Sequence, residues 1–304
     1  MKKLLSIFAI LSATYCALAL NFVTIPSSPT KATLSKTEWT DSTTNNLVKL
    51  KGKPTRNDSI TFRYSGGDFL IDTNLDARSI GFYEEAFVVA ENKKINSLRG
   101  GLTFVISSNP SHTNQLFLKN SEMNVNGSVG HSPTSGNKKI GMNVIKLENS
   151  KFFASGNMDF TITSSIFEPT RGRSGVKLIV IGDSVLKLKG SLLVDSILAE
   201  NKNLLFDLVF ENQKAKIGKI IVDKATIGGT DVRVNLKSPE KGRYTLLESV
   251  ARKPLEGTPR GIFINDTQTS LDSPVTVDGL KCTVSIDSAD SKDKNKNDII
   301  LTVE

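Results

Sequence analysis

A serine at the end of an apolar run is the first residue here that could do covalent chemistry. Gly182-Asp183-Ser184 follows the apolar run 176–180, where a strand would deliver a nucleophile to a turn. Such a serine needs an imidazole to take its proton. The chain has two histidines, His112 and His131, both upstream of Ser184 and both set among Ser, Thr, Asn and Pro, as in exposed loops. Neither has a Cys, Asp or His at ligand spacing, so no metal site is expected. Asp68, Asp72 and Asp76 recur every fourth residue, with Arg63 and Arg78 nearby. On one strand these carboxylates would share a face. They could then converge. The plainer expectation is three exposed acids in strands or turns. No P-loop or dinucleotide fingerprint occurs, so no cofactor is expected.

The remaining chemistry-bearing groups point to a compartment. Lys2 and Lys3, an apolar stretch over 4–13 and Ala17-Leu18-Ala19 have the layout of a secretory signal peptide, residues 1–19, with cleavage expected after Ala19. The stretch is too short to span a bilayer, and no later segment reaches 18 apolar residues. Cys16 follows the bulky Tyr15, which argues against lipidation there. Without the leader one cysteine remains, Cys282, which cannot form an internal disulfide and is expected as a buried small apolar residue between Leu280 and Val284. The formal charge of +8 falls to about +6 when Lys2 and Lys3 leave with the leader. The excess is diffuse and lacks a basic stripe with interleaved aromatics, so nucleic acid is not an expected partner.

Helical periodicity is nearly absent. From residue 116 onward, short apolar runs recur, among them 116–118, 142–147, 176–181, 204–210, 217–222, 232–236 and 299–303, punctuated by Gly, Asn, Asp, Ser or Lys. Many short strands with regular turn signals mean an all-β protein. A repeat selects among all-β architectures. Leu118-Lys119-Asn120-Ser121 leads to Gly127, Leu147-Glu148-Asn149-Ser150 to Gly156, and Ile181-Gly182-Asp183-Ser184 to Gly190, with a weaker echo at Val222-Asp223-Lys224-Ala225. The three serines stand 29 and 34 residues apart. Imperfect periods of this size suit stacked rungs of a β-solenoid, roughly ten at about 4.8 Å each. Asn, Asp and Gly at the same place in each coil tolerate the left-handed angles of a tight corner. Residues 20–80 are expected to form an extended N-terminal segment, holding Trp39, and then a cap with the first rungs. Residues 81–90 (GFYEEAFVVA) are the expected short helix or cap element, within rungs over 81–190. Residues 288–297 are expected as a hydrophilic loop before a last strand.

The stretch 191–247 resembles the C-terminal part of autotransporter passengers of the pertactin-like class. The matching residues are Phe206-Asp207-Leu208, the run 221–234 (IVDKATIGGTDVRV) and 242–247 (GRYTLL); the ending 297–303 is similar to a last passenger strand. The close match covers about a fifth of the chain. The resemblance implies a right-handed parallel β-helix with an N-terminal cap region, in which 191–304 folds early and templates the upstream rungs. It also implies display at the cell surface or release. Some passengers are serine proteases with Gly-Asp-Ser-Gly; here Val185 replaces the last Gly. Gly182-Asp183-Ser184 also resembles the nucleophile block of GDSL-type hydrolases, but no later Asp-x-x-His follows. Passengers carry an outer-membrane barrel after the β-helix. No such run of alternating strands occurs up to Glu304, so a barrel translocator is expected outside this chain.

The expected function is that of an exported bacterial surface protein with no catalytic, cofactor or metal residues, active in adhesion or host interaction through an unknown surface ligand, a glycan or a protein of host or cell surface. The alternatives are a secreted β-helix polysaccharide lyase working near Asp68–Asp72–Asp76, and a periplasmic structural protein.

Overall fold

The computed structural model describes residues 21–24, 32–41, 49–50, 54–63, 68–83, 85–105, 113–132, 139–160, 168–169, 174–193, 204–251, 254–288 and 297–304. The expected signal peptide, His112 and most of the 288–297 loop lie outside the described residues.

The protein is all-β, and no helix occurs among the described residues. Three long sheets, mostly parallel, are visited in rotation. Ser59–Arg63 joins the first sheet, Asp68–Ile71 the second, Leu75–Ala77 the third and Ser79–Tyr83 the first again. The order repeats through Gly242–Ser249 in the third sheet. Each strand therefore pairs with the strands one circuit before and one circuit after it. In the second sheet Thr113–Lys119 runs parallel to both Phe87–Glu91 and Met142–Glu148. The register there stays unbroken across Ser174–Ile181, Leu204–Gln213, Asp231–Asn235 and Gly261–Ile264.

Alternation explains the register. In Thr113–Lys119 every second residue is buried, which puts Leu116 and Leu118 inside and Gln115 and Phe117 outside. In the same sheet Val88, Ile145, Leu178, Leu208, Val232 and Ile262 stack on Leu116 across successive circuits and are at most 3% exposed. A one-residue slip would move that whole column to the outside. In the first sheet the column is aromatic. Phe62, Phe82 and Phe104 are in register, with ring centroids 5.7 and 4.9 Å apart. Each such ring contributes roughly 1.5–3 kcal/mol through burial. Trp39, 1% exposed, closes this column from the N-terminal end, 6.5 Å from Phe62 and 6.4 Å from Phe69.

The serine repeat is a ladder at the corner between the second and third sheets. The Ser121 hydroxyl accepts from Lys93 N, Ser150 Oγ from Ser121 N, and Ser184 Oγ from Ser150 N, at 3.0–3.1 Å. Each hydroxyl also donates to a carbonyl of its own coil: Lys119 O, Glu148 O and Ile181 O. The left-handed corner residue before each serine is Asn120, Asn149 or Gly182, and Asn92 holds the same place one circuit earlier. The sequence alignment of the third copy is off by one residue. Leu147 pairs with Val180 and Glu148 with Ile181, so Asp183 is an insertion that leaves the Ser150–Ser184 bond intact. The echo at 222–225 belongs to a different corner, since Ala225 pairs with Leu192 in the first sheet. The glycines after each serine stack at that other corner. Gly156 N donates to Gly127 O, and a Cβ on Gly156 would lie 2.9 Å from Gly127 C.

The described residues of 81–90 are not helical. They divide between Ser79–Tyr83 and Phe87–Glu91, both with alternating burial. Both ends of the stack turn antiparallel. Trp39–Asp41 runs against Asn21–Thr24, and Lys49–Leu50 against Trp39–Asp41. At the other end Asp298–Val303 lies between Gly242–Ser249 and Leu280–Asp287, antiparallel to both. Such hairpins cover edges that would otherwise pair with other molecules.

Candidate functional site

The outer face of the second sheet carries three columns of interacting side chains. One outward column reads Val89, Phe117, Lys146, Ile179, Val209, Arg233 and Phe263, in register across seven strands. Its two cations lie on its two rings: Lys146 Nζ is 4.7 Å from the Phe117 centroid, and Arg233 Cζ is 4.0 Å from that of Phe263. Their charges stay at the surface while their stems cover apolar neighbours.

The adjacent column places Lys177, Asp207 and Asp231 side by side. Asp207 is 4% exposed and meets Lys177 Nζ at 3.3 Å and Arg233 Nε at 3.4 Å. Asp231 receives both Nε and NH2 of Arg260, at 3.0 and 2.8 Å. That two-point bond holds the guanidinium pKa above its usual value, with partial burial opposing it. The network binds four successive circuits, from Lys177 to Arg260. Asp207 Oδ1 has no hydrogen-bond partner among the described residues.

The third column is Glu91, Lys119, Glu148, Ile181, Glu211 and Asn235. Lys119 pairs with Glu91 at 3.0 Å, which raises the lysine pKa first through that hydrogen bond and then through charge. Glu211 accepts from Asn235 Nδ2 at 3.1 Å. Beside this column the strand Leu204–Gln213 runs past the sheet and folds back through Lys216–Ile217. Lys214 takes the positive φ of 58° that the tight turn requires. Asn212 pins the hairpin by donating to Lys237 O and accepting from Lys237 N, at 2.9 and 2.7 Å. Gln213 Oε1 accepts from Asn149 Nδ2 at 2.6 Å. Hairpin and column enclose an open groove of about 350 Å3, bounded by Lys146, Glu148, Glu211, Gln213, Lys214 and Lys237.

Among the described residues, the candidates read from sequence do not assemble into a catalytic set. Ser184 is 1% exposed and its hydroxyl donates to Ile181 O at 2.7 Å, so it is a corner residue. His131 lies on Val129–Ser132, a strand of the first sheet. Asp68 stands on a strand of the second sheet and Asp76 on one of the third, with Asp72 at the turn between them. A chain that turns a corner between acids four apart cannot aim them at one point. Asp72 accepts from Ser35 N at 2.9 Å and from the Ser35 hydroxyl, while Asp76 accepts from Asn96 Nδ2 at 2.7 Å. Arg63 lies over the Tyr83 ring at 5.0 Å. No group of three metal-ligating side chains occurs among the described residues. Cys282 is buried, and burial pushes its thiol pKa up.

Sequence reasoning did not find the Asp207–Asp231–Arg260 network or the groove. The available signal was Asp207 itself, a lone acid inside the apolar run 204–210. Of the residues that carry the autotransporter resemblance, 206–208 and 231–234 lie on successive strands of the second sheet, 221–222 in the third, 225–226 in the first, and 242–247 against the last strand, Asp298–Val303. Compared with protein-family models, curated proteins and solved structures, the chain matches none of them.

Proposed function

We propose that this protein is an exported, right-handed parallel β-helix that presents its outer faces to a partner, in the manner of an autotransporter passenger, and acts by binding. The observation that supports this most is the rotation of the chain through three sheets, each strand flanked by its counterparts from neighbouring circuits. Parallel crossovers are right-handed in about 98% of cases, which sets the hand of the proposed coil. Nine strands of the second sheet, parallel throughout, would span about 40 Å at ~4.8 Å per step. A rigid face of that length, with columns of like-placed side chains and antiparallel hairpins at both ends, suits recognition of an extended surface partner. The leader-like N-terminus and the resemblance over 191–247 support export and display.

Protease shaving of intact producing cells tests display. Peptides from 204–251 are expected in the supernatant before lysis. Recovery of those peptides only after the outer membrane is broken would sink the surface reading and favour a periplasmic structural role.

A further inference from the structure

The groove beside the 211–217 hairpin has a lining that selects among partners. Its two carboxylates are engaged: Glu211 holds the Asn235 amide, and Glu148 faces the Lys119 ammonium within electrostatic reach. Its three ammonium groups are not. Lys146 rests on a ring, and none of Lys146, Lys214 and Lys237 forms an ion pair among the described residues. An entering molecule therefore meets three ammonium groups with no ion-pair partner among the described residues, beside two carboxylates. Between them lie carboxylate lone pairs and the Gln213 amide nitrogen, groups that bind hydroxyls. Ile181 is the one apolar residue of the lining and is only 9% exposed. Within the sheet, the backbone at 148, 181, 211 and 235 is already used in the parallel ladder, so an added peptide strand has no edge to pair with there. The volume, about 350 Å3, is at the lower end of small-ligand clefts, roughly 300–1,000 Å3.

We infer that this groove binds a segment of an acidic glycan, a hydroxylated chain bearing carboxylates. This deepens the proposed function and rests on it. The ammonium groups of Lys146, Lys214 and Lys237 take the carboxylates, and Glu148, Glu211 and Gln213 take the hydroxyls. The hairpin, pinned by Asn212 to Lys237, holds Lys214 and Lys237 on the same wall.

Calorimetric titration of the full chain with a galacturonate oligomer, a neutral glucan oligomer of equal length and a single-stranded DNA of similar charge tests this. The acidic oligomer is expected to bind at least about tenfold tighter than the neutral one. Binding is expected to weaken by at least about tenfold in the Lys214→Ala/Lys237→Ala double variant and again in roughly 0.5 M salt. Both lysines are exposed, so the thermal midpoint of the variant should stay unchanged, and Lys146→Met keeps the cover over Phe117 as a second variant. Equal binding of acidic and neutral oligomers, no binding of either, tighter binding of the DNA, or an unaffected double variant would each overturn the assignment. The shaving experiment does not depend on the groove, so a failure here leaves display intact.

Discussion

At the scale of single residues, the positions that look reactive in sequence are spent on structure. Ser184 has its lone pair on Ser150 N and its proton on Ile181 O, and Asp183 faces outward, 2.6 Å from Lys216 Nζ. Asp72 is similarly committed. Burial acts to raise its pKa, but the bonds from Ser35 outweigh that and hold it below its ordinary value of 3.8. A carboxyl depressed in the fold contributes stability that is fully present above its unfolded value and is lost as pH falls through the folded one. Chemical denaturation across pH is expected to show the native chain more stable than Asp72→Asn above about pH 4. The two curves should converge in stronger acid. Parallel curves down to the lowest pH would remove Asp72 from this role.

At the scale of elements, the corners carry as much information as the strands. A turn between sheets leaves backbone donors that the parallel ladder cannot reach. Ser121, Ser150 and Ser184 answer this by bridging one coil to the next. Ser150→Ala leaves the buried Ser121 N–H without an acceptor and is expected to cost about 1–3 kcal/mol, read from the urea midpoint. Inside the second sheet the same logic appears as an asparagine pair. Asn114 Oδ1 accepts from Ala86 N, and its Nδ2 donates to Asn143 Oδ1 at 3.1 Å, both residues being 3% exposed. The serine spacing was legible because corner residue types are few. The insertion of Asp183 was not, because Gly182 and Asp183 both suit a corner, and only strand pairing tells which one fills it. Residues 81–90 failed as a helix for a related reason. A short apolar block has no period long enough to separate helix from strand, and the alternation resumed only when neighbouring circuits were in place.

At the scale of the whole molecule, the stack is finished by strands that reverse direction. Asp298–Val303 is the first reversed strand of the third sheet, between Gly242–Ser249 and Leu280–Asp287, with Ile299, Ile300 and Leu301 fully buried and Asp298 Oδ1 accepting from Ser249 N. Ile300→Asp would place a carboxylate where no solvent reaches, at an expected loss of about 3 kcal/mol or more. The strand would then leave Gly242–Ser249 exposed. Hydrogen exchange should rise first across 242–249, and light scattering should show association through the opened edge. Exchange unchanged there would mean that the last strand does not guard that edge.

From composition and pattern alone, this chain was committed to an all-β state with recurrent corners and a buried Cys282. Those outcomes depend on local alternation, turn chemistry and the cost of burying polar backbone, all of which are written in neighbouring residues. The tertiary structure alone decided that Asp68, Asp72 and Asp76 part around a corner, that Asp207 and Asp231 share Arg233, and that three lysines meet beside one hairpin. Residues a circuit apart in sequence become neighbours only when the strands pair, and that register is a property of the assembled stack.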